Sequence, residues 1–133
     1  MGLERGRPQL KGHSLLIIED QDLLGHMFAH CMITEGMKVR SNTAIPDDLL
    51  SYMNESGIEA LIAHTAYTNE EQAVLEAHTN KKKVVIIKRN PPATREESAL
   101  YKRFEEAGIA TVNKSMFCFS QALDKLVELF EQE

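Results

Sequence analysis

The 133 residues suffice for one ordinary hydrophobic core and are too few for two. Apolar residues make up 43% and charged ones 26%, and no apolar run approaches the roughly 20 residues that cross a bilayer, so no membrane-spanning helix is expected. Fifteen basic residues against twenty acidic ones leave a net charge of −5, which argues against a general nucleic-acid-binding role for this domain alone.

Residues 1–13, with two arginines and a lysine but no apolar stretch behind them, read as a flexible arm before a domain that runs from 14 to 133. "HSLLIIED" is a short apolar run of the kind that forms a strand buried on both faces. From Gln21 to Glu35, Leu23, Leu24, Met27, Cys31 and Ile33 recur near a period of 3.6 and predict a helix, closed by Gly36. "MKVRS" alternates as a strand near a sheet edge does. "PDDLLSYMNESG" predicts a helix with Pro46 in its first turn and Gly57 past its end.

"IEALIAH" is the third strand, followed by a helix with a Thr68 and Glu71 capping box, closed by Asn80. "KKVVIIK" is the fourth strand. Thr94 and Glu97 repeat the capping box before a helix whose stripe is Leu100, Phe104 and Ala107, ending at Gly108. "IATVN" is the fifth strand, and Ser120 caps a last helix with Leu123, Leu126, Val127 and Phe130 on one face. Five strands alternating with five helices imply right-handed crossovers and an α/β, doubly wound parallel sheet.

Ligands of such sheets bind beyond the carboxyl ends of the strands. Those ends carry Glu19 and Asp20, then His64, then Lys88 and Arg89, then Asn113 and Lys114. Two adjacent carboxylates at the mouth of a buried strand are costly unless a cation or a donor faces them.

This set resembles the receiver domain of bacterial response regulators, the CheY-like domains of two-component signal transduction and phosphorelays, over Ser14 to Phe130. The resemblance implies a five-stranded flavodoxin/CheY-like sheet of order 2-1-3-4-5. It also implies an acidic pair for Mg²⁺, a phosphoacceptor Asp after the third strand, a Ser or Thr after the fourth and a Lys–Pro after the fifth. Glu19 and Asp20 match the pair and Lys114 the lysine. His64 falls on the phosphoacceptor position, Lys88 on the Ser or Thr, and Ser115 on the proline. The resemblance is therefore to a degenerate pseudo-receiver, non-catalytic and not phosphorylated at the usual position.

No cofactor is expected, with Glu19 and Asp20 as the ligands if Mg²⁺ binds after all. Lys88 and Lys114 are expected to pair with these two carboxylates and hold the domain in one state. The resemblance implies a protein partner, or a second copy, meeting the surface formed by the fourth helix, fifth strand and fifth helix. Tyr101, Met116 and Leu129 are its candidate exposed apolar residues, and nucleic acid would be reached only through a separate output domain.

The alternatives are a phosphoryl-accepting regulator that uses a non-standard acceptor with Mg²⁺, and an anion pocket built on Lys88, Arg89 and Lys114. Elsewhere, His26 and His30 stand i, i+4 on the first helix without a third metal ligand. Cys31 and Cys118 lack the number and spacing of a disulfide framework, which suits a reducing, cytoplasmic setting. Lys81, Lys82 and Lys83 concentrate positive charge before the fourth strand.

Overall fold

Apolar runs at the predicted spacing form the strands of one sheet. The computed structural model describes residues 7–19, 22–64, 71–89, 91–115 and 118–132, and the side chains of residues 22–25 and 64 lie outside that description. The elements are β1 (Ser14–Ile18), α1 (Asp22–Thr34), β2 (Lys38–Asn42), α2 (Leu49–Glu55), β3 (Ala60–His64), α3 (Glu71–Thr79), β4 (Lys83–Lys88), α4 (Arg95–Glu106), β5 (Ala110–Asn113) and α5 (Cys118–Glu131). The strands are parallel and ordered β2-β1-β3-β4-β5, the doubly wound topology predicted from the sequence.

The pleat divides the core in two. Leu16, Ile18, Leu61, Ala63, Val84 and Ile86 face α2, α3 and α4, where Leu49, Met53, Val74, Leu100, Tyr101 and Phe104 meet them. Leu15, Ile17, Ile62, Val85, Ile87 and Val112 point the other way, onto Phe28 and Met32 of α1 and Ala122, Leu123 and Leu126 of α5. Successive residues of a strand thus serve opposite cores, which is why β1, β3 and β4 read as unbroken apolar runs.

Several boundaries differ from the sequence reading. α2 begins at Leu49, because the Asp48 carboxylate accepts the Ser51 N–H at 3.2 Å and caps the helix there, leaving Pro46 in the preceding turn. α5 begins at Cys118, so Ser120 is not a cap but lies in the first turn, its hydroxyl accepting from the Arg7 guanidinium at 3.0 Å. The left-handed residue after α3 is Lys81, with φ 69°, rather than Asn80. Thr68 lies outside the described residues.

Of the expected arm, residues 7–13 are among those described. Pro8–Leu10 forms one 3-10 turn, and Leu10 is fully buried against the α1 and α5 core. Arg7 pins this segment, donating to Glu35 at 3.1 Å and to Asp124 at 3.0 Å. Among the described residues, no helix is long and apolar enough to cross a membrane.

Candidate functional site

The sheet register sets the geometry of the carboxyl rim. Ile18 is level with Asn42 on one side and Ala63 on the other, so Glu19 emerges beside the end of β3. His64 is level with Ile87 and Lys88 with Asn113. The backbone therefore brings the expected positions 19, 64, 88 and 114 to one edge, with Lys114 N–H donating to Lys88 O at 2.7 Å. Glu19 is 3% exposed, and its N–H is held by Asn42 O at 3.0 Å. The carboxylate is thus carried into the rim by a rigid strand end, while Asp20 and the His64 side chain lie outside the described residues.

The charge pairing differs from the sequence expectation. Lys88 does not turn to the acidic pair; its ammonium meets Glu105 of α4 at 2.7 Å. The same Glu105 oxygen accepts from the Thr111 hydroxyl of β5 at 3.1 Å, so one carboxylate ties three elements together. Lys114 is exposed. The physical reason is reach: a strand-end side chain that leaves the sheet on the α4 side finds the nearest carboxylate on that helix.

Arg89 repeats the pattern. Its backbone N–H donates to the Tyr101 hydroxyl at 3.0 Å and its guanidinium meets Glu97 at 3.2 Å. Glu97 is 3% exposed, and its carboxylate also accepts the Ala93 N–H while its own N–H donates to the Thr94 hydroxyl. This is the predicted Thr94 and Glu97 start of α4, here combined with an ion pair between the buried carboxylate and a half-exposed guanidinium at the end of β4.

Tyr101 is accordingly not a surface residue. It is 4% exposed and belongs to the core beneath α4, and burial raises its phenol above the ordinary value, keeping a neutral hydroxyl as acceptor for Arg89. Leu129 is half-buried against the α5 core rather than displayed on the partner face, and Met116 lies outside the described residues. Apart from Ala99, the exposed residues of α4 are charged, among them Lys102, Arg103 and Glu106.

The cleft at Lys88 does not gather all three cations of the expected anion pocket. Its volume of about 200 Å³ takes in Lys88, Arg89, Tyr101, Lys102 and Glu105 but not Lys114, and both strand-end cations already face a carboxylate. The donor set for Mg²⁺ does not fit either. The ion favours several oxygen ligands in octahedral geometry, whereas the strand-three position offers an imidazole, a poor partner for so hard a cation. Among the described residues no group of three or more His, Cys, Asp or Glu side chains is placed to hold a metal ion. His26 and His30 are exposed on α1 beside Met27, Cys31 and Phe119. Cys31 and Cys118 are free thiols.

Glu105 is held below its ordinary value of 4.5, first by the hydrogen bond from Lys88 and then by that from Thr111. Glu71 is also lowered, by the bidentate contact of Arg103 at 2.6 and 2.9 Å that joins α3 to α4. A carboxylate depressed in the folded state stabilises it above the unfolded value and loses that contribution as pH falls through the folded one. Urea midpoints are therefore expected to stay level from neutral pH to about 5 and to fall below it. Glu105→Gln should remove part of that fall, worth about 0.5 kcal/mol after solvent screening of a half-exposed pair. An identical acid limb in the variant would contradict the pairing.

No family model and no curated protein matches the sequence. Solved structures do match the fold. A CheY-like response regulator receiver domain protein from Methanospirillum hungatei JF-1 aligns with TM-score 0.70 and 16% identity, over 92% of this chain and 96% of that one. A response regulator from Thermotoga maritima aligns with TM-score 0.67 and 10% identity, over 90% and 98%. A DNA-binding response regulator of the LuxR family from Staphylococcus aureus gives 0.63 and 15%, over 89% and 98%. The chain has the receiver-domain fold of two-component response regulators.

Proposed function

We propose that this receiver fold is a cytoplasmic, non-catalytic signalling module that works by protein contact and takes no phosphoryl group at the usual place. The observation that carries the reading is the Lys88–Glu105 pair at 2.7 Å. In the receivers that the sequence resembles, the position of Lys88 bears a hydroxyl that reaches the new phosphoryl charge. Here a cation stands there and is satisfied by α4. Together with the Tyr101 and Glu97 contacts of Arg89, it fastens α4 to the ends of β4 and β5 without any covalent signal.

His64 on the acceptor position supports the same reading, since an imidazole brings neither the carboxylate oxygen that accepts phosphate nor the third Mg²⁺ ligand. A domain whose equilibrium between two states has no ligand to bias it stays in one of them. The charged outer surface of α4, with β5 and α5 beside it, is then a constant surface for a protein partner or a second copy of the chain, not a switched one.

Amide hydrogen exchange tests this. With Mg²⁺ and beryllofluoride, a mimic of the bound phosphoryl group, protection across 95–106 and 110–113 is expected to remain unchanged. Lys88→Ala alone should speed exchange at the rim end of β5 and along α4. Protection changed by the mimic in the wild type would overturn the reading.

A further inference from the structure

At the opposite, amino-terminal edge of β4 lies an open cleft of about 600 Å³, lined by His78, Lys81, Lys82, Lys83, Val84, Gly108, Leu129 and Gln132. We propose that it binds a phosphate-bearing small molecule of nucleotide size. The volume lies within the range of small-molecule sites, which combine apolar walls with a few convergent polar groups. Half-buried Leu129 supplies the apolar wall, and the lysines and His78 the charged end.

The basic groups are set in different ways. Lys82 donates one ammonium N–H to Ile58 O at 3.0 Å, which fixes its head and leaves two donors. His78 Nε2 lies 2.9 Å from Ala107 O; a carbonyl only accepts, so the ring proton is on Nε2 and Nδ1 is left for a ligand. As an acceptor, Nδ1 suits a phosphate O–H. Gly108, at φ 88°, has no side chain to fill the floor beside His78.

Lys81 adds a second kind of observation. α1, α2 and α4 are each followed by a left-handed glycine, Gly36, Gly57 and Gly108, whereas the left-handed residue after α3 is Lys81 at φ 69°. A β-carbon is disfavoured in that conformation, so a charged side chain stands where this chain elsewhere uses glycine. The contrast with the other rim is electrostatic. Lys88 and Arg89 each face a carboxylate, but none of the described residues lining this cleft is acidic, in a chain of net charge −5. Glu59, which borders the neighbouring hollow, has its carboxylate engaged by His13 and the Ser14 N–H.

Titration calorimetry with ADP and with pyrophosphate tests the proposal on the full chain. The expected result is one ADP per chain, bound about tenfold more tightly than pyrophosphate because the apolar wall adds to the phosphate contacts. Lys81→Gly should keep its melting temperature, since glycine suits the backbone there, and weaken ADP about tenfold through loss of a charge-assisted contact. The double variant Lys81→Gly, Lys82→Gln should weaken it further, while Lys102→Ala on α4 should bind as the wild type does. Absence of ADP binding at millimolar concentration, unchanged affinity in the double variant, or pyrophosphate binding as tightly as ADP would each overturn it. The site lies at the far end of the sheet from Glu19 and His64, so this outcome is independent of the acceptor rim.

Discussion

Phe104→Ala is expected to lower unfolding free energy by about 3–5 kcal/mol, read as a drop in the urea midpoint with the slope unchanged. The ring is 2% exposed and fills the space between α4 and the sheet with Leu100, Tyr101 and Ile109. Truncation removes its transfer free energy and leaves a cavity that a fully occupied neighbourhood cannot close. A domain of this size has about 5–15 kcal/mol in all, so the loss takes a large share of it. Lys102→Ala, exposed on the same helix, should stay within about 0.5 kcal/mol. Equal effects from both would mean that α4 does not pack as described, and the anchoring of the rim would fall with it.

Leu10→Ala is expected to cost about 2–4 kcal/mol, although the residue precedes the first strand. Leu10 is fully buried and touches the core that α1 and α5 share. Its backbone is closed into a turn by Leu10 N–H to Arg7 O at 2.9 Å and His13 N–H to Leu10 O at 3.1 Å. Chemical denaturation of the variant separates the two possibilities plainly: a change under about 0.5 kcal/mol would fit a flexible arm.

The layout of the sheet was legible because its signals are local and repeated. "LLII", "ALIA" and "VVII" are runs that only a strand with cores on both sides buries, and Gly36, Gly57 and Gly108 mark helix ends by the conformation they alone adopt cheaply. The strand ends that carry Glu19, His64, Lys88 and Lys114 follow from the strands, so the positions at the rim were legible too. Contacts between distant elements were not. Nothing near Leu10 in sequence says that α1 and α5 leave a gap for it, and nothing near Lys88 names Glu105 as its partner.

Tyr101 shows the limit of reading a stripe. The spacing of Leu100, Phe104 and Ala107 put the apolar face one position to the side of where it lies, and the structure buries Glu97, Leu100, Tyr101 and Phe104 while leaving Ala107 exposed. A helix lying on a sheet buries a broad face, and the polar tips of Tyr101 and Glu97 are admitted because Arg89 satisfies both. Similarly, Asp48 displaced Pro46 as the start of α2 because a side-chain cap fixes a terminus more strongly than a favoured φ.

The central claim, that the acceptor position of this receiver fold is chemically silent, is tested most directly by intact mass at neutral pH after incubation with a small acyl phosphate and Mg²⁺. Wild type, Glu19→Ala and His64→Ala should all keep the mass of the unmodified chain. A stable gain of one phosphoryl group in the wild type, lost in either variant, would contradict it.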